Sequence, residues 1–341
     1  MTAEAKVPAR YRAPFWMPGG HIQTIWPALF SRTHRGDAPV YRRERLNAPD
    51  GDFVDVDWVK ANAGNSSEAP ERPLLVLFHG LEGSSASHYA IAFADIARQR
   101  GWDYAVPHFR GCSGELNHAP RAYHSGDYEE IYWVLRTLAA GRSHPVYAVG
   151  VSLGGNALLR WTQEMGKDAS QYVKAVAAIS APLDLAACGH HIDQGLNRQI
   201  YVRNFLSTMK PRAERKHMQY PGLFDLKAVM AAKTLYAFDN AFTAPLHGFR
   251  DTDDYWLRAS SAHHMKKIQI PALVMNALND PFVPANCLPS TQDVSSWVQL
   301  WQPRTGGHVG FATGNPPGHV RTMPETICDW LRSYPQRMTH G

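Results

Sequence analysis

Cysteine is scarce and scattered: four residues in 341, at Cys112, Cys188, Cys287 and Cys328. Their wide separation, and a start (MTAEAKVPARYRAPFW) with no apolar stretch behind its charges, predict free thiols in a reducing, cytoplasmic setting rather than a disulfide framework. No run approaches the roughly 18 consecutive apolar residues that a membrane helix needs, so no integral membrane segment is expected. Charge of one sign is also lacking. The 35 Lys and Arg stand against 30 Asp and Glu, a net charge of +5 with no basic block, which argues against a nucleic-acid partner. The 17 His include no H-E-x-x-H spacing, and there is no paired C-x-x-C. His190-His191 and His263-His264 have no carboxylates at ligand spacing, so no metal is expected. A G-x-G-x-x-G fingerprint is absent, which argues against a nucleotide enzyme. Repeats and low-complexity tracts are absent too. What remains is ordinary globular composition, 44% apolar and 19% charged, long enough for two average domains or one large α/β domain with an insertion.

The apolar residues are arranged in short, nearly continuous runs: Leu74–Phe78, Tyr104–Pro107, Val146–Val151, Val173–Ile179, Ala272–Ala277 and Trp297–Trp301. Helix-length segments separate most of them. Strands apolar on both faces and spaced by helices predict a mostly parallel central sheet flanked by helices. Ahead of them, Pro39–Lys60 reads as a hairpin around Pro49-Asp50-Gly51-Asp52, and Ala61–Arg72 as a polar surface loop. One interval breaks the rhythm. About ninety residues between Ile179 and Ile270 contain no convincing strand, far more than a βα connection needs. Helical spacing in this interval (Ile200, Phe205, Met209) predicts a helical cap insertion over residues 183–255, with 1–182 and 256–341 forming the core. Such a cap would lie over the carboxyl end of the sheet, where open α/β sheets bind ligands, or would only cover core.

Gly150-Val151-Ser152-Leu153-Gly154-Gly155 follows a strand and precedes the helix-capable segment Asn156–Met165. This is G-x-S-x-G in the strand–turn–helix context that makes it meaningful. A Cβ two residues before or after Ser152 would collide with neighbouring backbone, and the strained turn would expose the Ser152 hydroxyl at a helix N-terminus. A serine hydroxyl needs a base within reach and a third group to orient that base. In hydrolases with this turn the chain order is Ser, acid, His. Asp280 follows the run Ala272–Ala277 in a loop stiffened by Pro281 and Pro284. His308, in Gly306-Gly307-His308-Val309-Gly310, follows Trp297–Trp301. Asp184, after the preceding strand, and His319, in a second Gly-His-Val triplet, compete for these places. His319 lies nearer the last helix and reads as a surface or capping residue. Backbone donors for an oxyanion are expected from the N–H groups of Leu81, after Leu74–Phe78, and Leu153.

Other polar residues carry weaker readings. His79 reads as a buried residue bonding loop backbone. Arg110 and Glu115 read as a structural ion pair. His21, Gln23 and Thr24 either approach the pocket or belong to a satisfied, half-buried N-terminal segment.

With these residues in view, the chain resembles the YheT-like branch of the α/β-hydrolase superfamily, whose relatives include membrane-associated esterases and lipases of the abhydrolase-domain type. The matching segments span nearly the whole chain. They are Pro14-Phe15 with His21-Ile22-Gln23-Thr24, then His79-Gly80-Leu81-Glu82-Gly83-Ser84, then Phe109-Arg110-Gly111-Cys112-Ser113-Gly114-Glu115 and Tyr123-His124-Ser125-Gly126. The nucleophile turn, Ala241–Phe249 and Gly307-His308-Val309-Gly310-Phe311 complete them. The resemblance implies the α/β-hydrolase fold and a carboxylic-ester hydrolase with Ser152, Asp280 and His308 as its triad. The expected partner is a small-molecule ester of short to medium acyl chain, or a monoacylglycerol, and no cofactor is required. A thioesterase or acyltransferase would use the same three residues, whereas a hydrolase-fold binding protein would usually lose one. In one place the chain departs from the branch, which carries Asp-Asp where this sequence has Asp239-Asn240.

Overall fold

The computed structural model describes residues 11–61 and 72–334. Most of the loop expected at Ala61–Arg72, and the first ten residues, lie outside this range. Eight strands form one sheet in the order β1-β2-β4-β3-β5-β6-β7-β8. They are β1 (Arg42–Asn47), β2 (Phe53–Val59), β3 (Leu74–Phe78), β4 (Asp103–Pro107), β5 (Val146–Val151), β6 (Ala175–Ile179), β7 (Ala272–Met275) and β8 (Val298–Trp301). The six strands from β4 to β8 pair in parallel, while β2 is antiparallel to both β1 and β4. The β1–β2 register is set by charge as much as by apolar pattern. Arg43 lies directly opposite Asp57, and Arg45 opposite Asp55. Each guanidinium donates two hydrogen bonds to its carboxylate.

Side chains alternate across the sheet into two apolar layers. Leu74, Val76 and Phe78 pack with α3 (Tyr128–Ala139) and α4 (Leu153–Met165). Leu75 and Leu77 point the other way, toward α2 (His88–Gln99) and the final helix Thr322–Arg332. An N-terminal helix, α1 (Gly19–Leu29), lies beside α2.

The long interval after β6 contains helices joined by short loops and no strand. It holds α5 (Leu185–Ile192), the continuous segments Gly195–Asn197, Arg198–Val202 and Arg203–Gln219, then Leu226–Ala231, a second continuous set from Leu235 to Leu246, and Thr252–Ala259. Arg198–Val202 and Asp239–Thr243 are π-helical. Four of these helices start where the sequence supplies an N-cap: Asp184, Asp225, Thr234 and Asp251 each accept a backbone N–H three residues on. The interval also has an apolar cluster of its own, including Val202, Leu206, Phe224, Phe238 and Phe242.

Sheet register places the chemistry. Phe78 pairs with Gly150, Val151 with Ile179, Ile179 with Met275 and Met275 with Trp301. The loops leaving β3, β5, β7 and β8 therefore start from one transverse line at the carboxyl edge.

Candidate active site

Ser152 stands between β5 and α4 with φ 52° and ψ −121°, a backbone conformation that side chains rarely adopt. The turn is tight enough to need its glycines. A Cβ on Gly150 would come 2.4 Å from the Gly154 carbonyl oxygen, and one on Gly154 would come 2.5 Å from the carbonyl oxygens of both Phe78 and His79. The core closes around this strain: the Ser152 N–H donates to the Ile179 carbonyl at 2.8 Å.

The structure brings Ser152, Asp280 and His308 together. Ser152 Oγ lies 3.0 Å from His308 Nε2, and His308 Nδ1 lies 2.9 Å from Asp280 Oδ2. An ionised carboxylate can only accept, so Nδ1 carries the proton and Nε2 presents its lone pair to the serine O–H. Asp280 is buried, and its second oxygen accepts the Phe282 N–H at 2.7 Å. The Phe282 ring stacks on the His308 imidazole at 4.0 Å between centroids, and Tyr201 packs edge-on against Phe282 from the helical interval. Leu81 and Leu153 line the same cavity as Ser152 and His308. Neither backbone N–H has a hydrogen-bond partner among the described residues. The loop carrying Leu81 is pinned close by, since a Cβ on Gly80 would sit 3.1 Å from the Ser152 Cβ.

The histidine loop is held largely by the N-terminal helix. Gln23 is buried, donates to the Met17 carbonyl, and accepts from both Asn279 Nδ2 and the Gly306 N–H. Thr24 Oγ1 donates to the Gly20 carbonyl and accepts the His308 N–H at 2.9 Å. The two backbones touch: a Cβ on Gly310 would lie 1.7 Å from the Gln23 carbonyl oxygen. His21 instead reaches the helical interval, its Nδ1 lying 3.0 Å from the Tyr201 hydroxyl. From the other side, Ser180 Oγ accepts the Val309 N–H and His88 Nε2 bonds the Val309 carbonyl. Burial pushes His88 down to about 4, so its ring is neutral and donates. The satisfied N-terminal segment of the sequence reading is thus fully buried at Gln23 and Thr24, and its bonds go to the loops that carry Asp280 and His308.

Several expectations are corrected or placed. Arg110 does not pair with Glu115. Its guanidinium is buried against Asp50, Asp52 and Glu130, while Glu115 bonds Arg45 at the surface. The hairpin-turn carboxylates Asp50 and Asp52 and the α3 carboxylate Glu130 take the Arg110 guanidinium, and Arg45 takes Glu115, which spacing along one loop does not reveal. Asp184 is a helix N-cap. His319 is neither a surface residue nor a cap: it is half-buried, and its main chain bridges Thr313 and Arg32. His79 accepts the Phe109 N–H and bonds the Gly80 carbonyl, and burial pushes its ring down to about 3. Among the described residues, no group of three or more His, Cys, Asp or Glu could hold a metal, and no helix is long and apolar enough to cross a membrane.

Ser152 and His308 open onto a cavity of about 120 Å³. Its walls are mostly apolar (Leu185, Ile192, Phe205, Met209, Trp256) and come largely from the helical interval. Asp239, which precedes the Asn240 that departs from the branch pattern, also lines it, a place the sequence did not assign to it.

Residues 73–315 match the family model described as the alpha/beta hydrolase fold. The chain belongs to that family, and the fold and site make it an α/β hydrolase of the esterase and lipase type. Within the family it belongs to the YheT-like branch. It is 39% identical over 317 residues to YheT of Escherichia coli, a match covering 92% of this chain and 90% of that protein. It is also 32% identical over 330 residues to Phospholipase ABHD3 of Mus musculus, covering 91% and 79%. In fold it is similar to the Pyrococcus furiosus esterase Pf2001, with a TM-score of 0.52 at 14% identity over 89% of this chain and 98% of that one.

Proposed function

We propose that the protein hydrolyses carboxylic esters of short to medium acyl chain through a covalent acyl-enzyme, with Ser152 as nucleophile, His308 as general base and acid, and Asp280 as the group that orients the imidazole. The observation that supports this reading is the unbroken chain Ser152 Oγ, His308, Asp280, with spacings of 3.0 and 2.9 Å, at the wall of an apolar cavity. As Ser152 Oγ attacks the ester carbonyl carbon, its proton passes to His308 Nε2, and Asp280 stabilises the imidazolium. The carbonyl oxygen takes the negative charge, and the free N–H groups of Leu81 and Leu153 receive it. Collapse of the tetrahedral intermediate breaks the bond to the alcohol oxygen, which takes the proton from Nε2. Water then gives its proton to the same nitrogen and attacks the acyl carbon, and collapse of this second intermediate breaks the bond to Ser152 Oγ, which takes the proton back from Nε2 as the acid leaves. Residues 183–255 act as the cap that supplies the apolar walls; the helix Thr252–Ala259 crosses the boundary between cap and core.

The test is a panel of p-nitrophenyl esters of graded chain length, together with an acyl thioester, run on wild type and Ser152→Ala. A fluorophosphonate probe with peptide mapping accompanies it. We expect turnover of oxygen esters, peaking at short to medium chains, with the label on Ser152 and a loss of roughly 10⁴-fold or more in Ser152→Ala. Equal turnover by the two proteins rejects the covalent mechanism. Preference for the thioester moves the substrate class.

A further inference from the structure

The cavity beside Ser152 holds a carboxyl group that the ester chemistry does not use. Asp239 opens the π-helical stretch Asp239–Thr243, a backbone irregularity found often at functional sites. Its Oδ1 accepts the Thr243 hydroxyl at 2.6 Å and its Oδ2 accepts the indole N–H of Trp256 at 2.9 Å. Both donors are neutral, and each carboxylate oxygen can accept more than one hydrogen bond, so acceptor capacity remains on both. No Lys, Arg or His pairs with it among the described residues; the charge that acts on it is another acid, Asp193. Burial pushes the carboxyl up to about 6, which still leaves it mostly ionised at neutral pH. The other polar wall groups away from Ser152 and His308 are Ser125, whose Oγ already accepts from Asn156, and the Cys188 thiol, a weak donor and acceptor. Two neutral donors reach this carboxylate but no counter-charge does, so a further donor from a bound ligand would stabilise it among its apolar neighbours.

We propose that Asp239 is a recognition group for the substrate: it accepts the hydroxyl of a hydroxylated chain lying in the cavity, so that the preferred esters carry a hydroxyl on their buried chain. The proposal rests on the ester-hydrolase reading for the identity of the ligand, and it makes that ligand more specific. A hydroxyl fits better than an ammonium. One accepting carboxylate satisfies the single O–H, whereas a primary ammonium would bring three N–H groups to a wall whose other side-chain oxygen, away from Ser152, is the already bonded Ser125 hydroxyl.

Binding is measured calorimetrically in the full-length Ser152→Ala protein, with methyl hexanoate, methyl 3-hydroxyhexanoate, methyl 6-hydroxyhexanoate and methyl 6-aminohexanoate. At least one hydroxy ester is expected to bind about tenfold more tightly than the plain ester, the lower end for a hydrogen bond to a charged group. Adding Asp239→Asn should bring that ratio close to one. Asparagine can still accept from Trp256 and donate to Thr243, so the wall can keep its internal bonds. Asp239→Glu is the second variant. It keeps the charge but moves it about one methylene into the cavity, and should shift the preference from the 6-hydroxy toward the 3-hydroxy ester. Equal binding of plain and hydroxy esters, binding of neither, or an unchanged ratio in Asp239→Asn overturns the proposal. Tightest binding of the amino ester overturns it in favour of a cation subsite. Hydroxyl-dependent binding without Ser152-dependent turnover would sink the hydrolase reading and leave this one standing. Turnover without hydroxyl preference would sink this one alone.

Discussion

The nucleophile turn and the histidine loop meet within a hydrogen bond of each other, yet they are built by opposite means. The turn is local. Its conformation is written in six consecutive residues, its glycines are demanded by backbone atoms a strand away, and β5 and α4 hold it from both ends. The histidine loop has no helix directly behind it. It is held by Gln23 and Thr24, more than 280 positions earlier in the chain, and by Ser180 and His88. One half of the site is self-supporting, and the other is clamped from outside. Proximity in space therefore says little about how a group is kept in place.

The comparison can be sharpened or broken by substitution. Asp280→Asn should have the largest effect. It leaves the loops in position but favours the wrong imidazole tautomer, and in the proposed mechanism kcat falls by roughly 10⁴. A loss below tenfold would mean that the orientation of His308 is fixed by the loop alone. Gly154→Ala comes next: the added methyl meets two carbonyl oxygens, and unfolding in denaturant should show a loss of about 3 kcal/mol along with lost labelling of Ser152. Retained stability would show that the turn can relax and is less local than its geometry indicates. Thr24→Val is smaller, because it is close to isosteric and removes two hydrogen bonds, the acceptor of the His308 N–H and the donor to the Gly20 carbonyl. We expect about a tenfold fall in kcat with KM nearly unchanged, restored by Thr24→Ser. If kcat does not move, the loop needs no remote clamp and the contrast collapses.

The smallest effect concerns a region remote from both loops. Burial alone would raise the Asp52 carboxyl, but hydrogen bonds from Asn117, the His118 N–H and Arg110 hold it down to about 2, against an ordinary 3.8. The unfolded chain therefore binds the proton first as pH falls. The stability contributed by Asp52 is complete above about pH 4 and is lost on the way down to about pH 2. Acid titration followed by circular dichroism should show this decline in wild type and a shallower one in Asp52→Asn, with the esterase pH profile above pH 5 unaltered. A changed pH profile would tie the hairpin to the site.

The same contrast explains what could be read from the sequence. Ser152 is legible because strand, glycine and helix signals all fall inside one short window, and the strands because each is a nearly unbroken apolar run. Asp280 and His308 are legible by chain order and by their place after strands. The clamp is not, because a contact between Gln23 and Gly306 leaves no periodic trace and only the folded register brings the two together. Arg110 fails for the same reason. Glu115 is its neighbour along the chain, but Asp52 is its neighbour in space.

The stacking of Phe282 on His308 carries a kinetic corollary. One broad side of the imidazole is covered by an aromatic plate that Tyr201 braces from behind, and Asp280 bonds its edge, so stack and hydrogen bond both oppose rotation of the ring. In the proposed cycle the proton taken at acylation and the proton returned to the departing alcohol thus pass through one nitrogen held at a fixed bearing, so no time is spent re-aiming it.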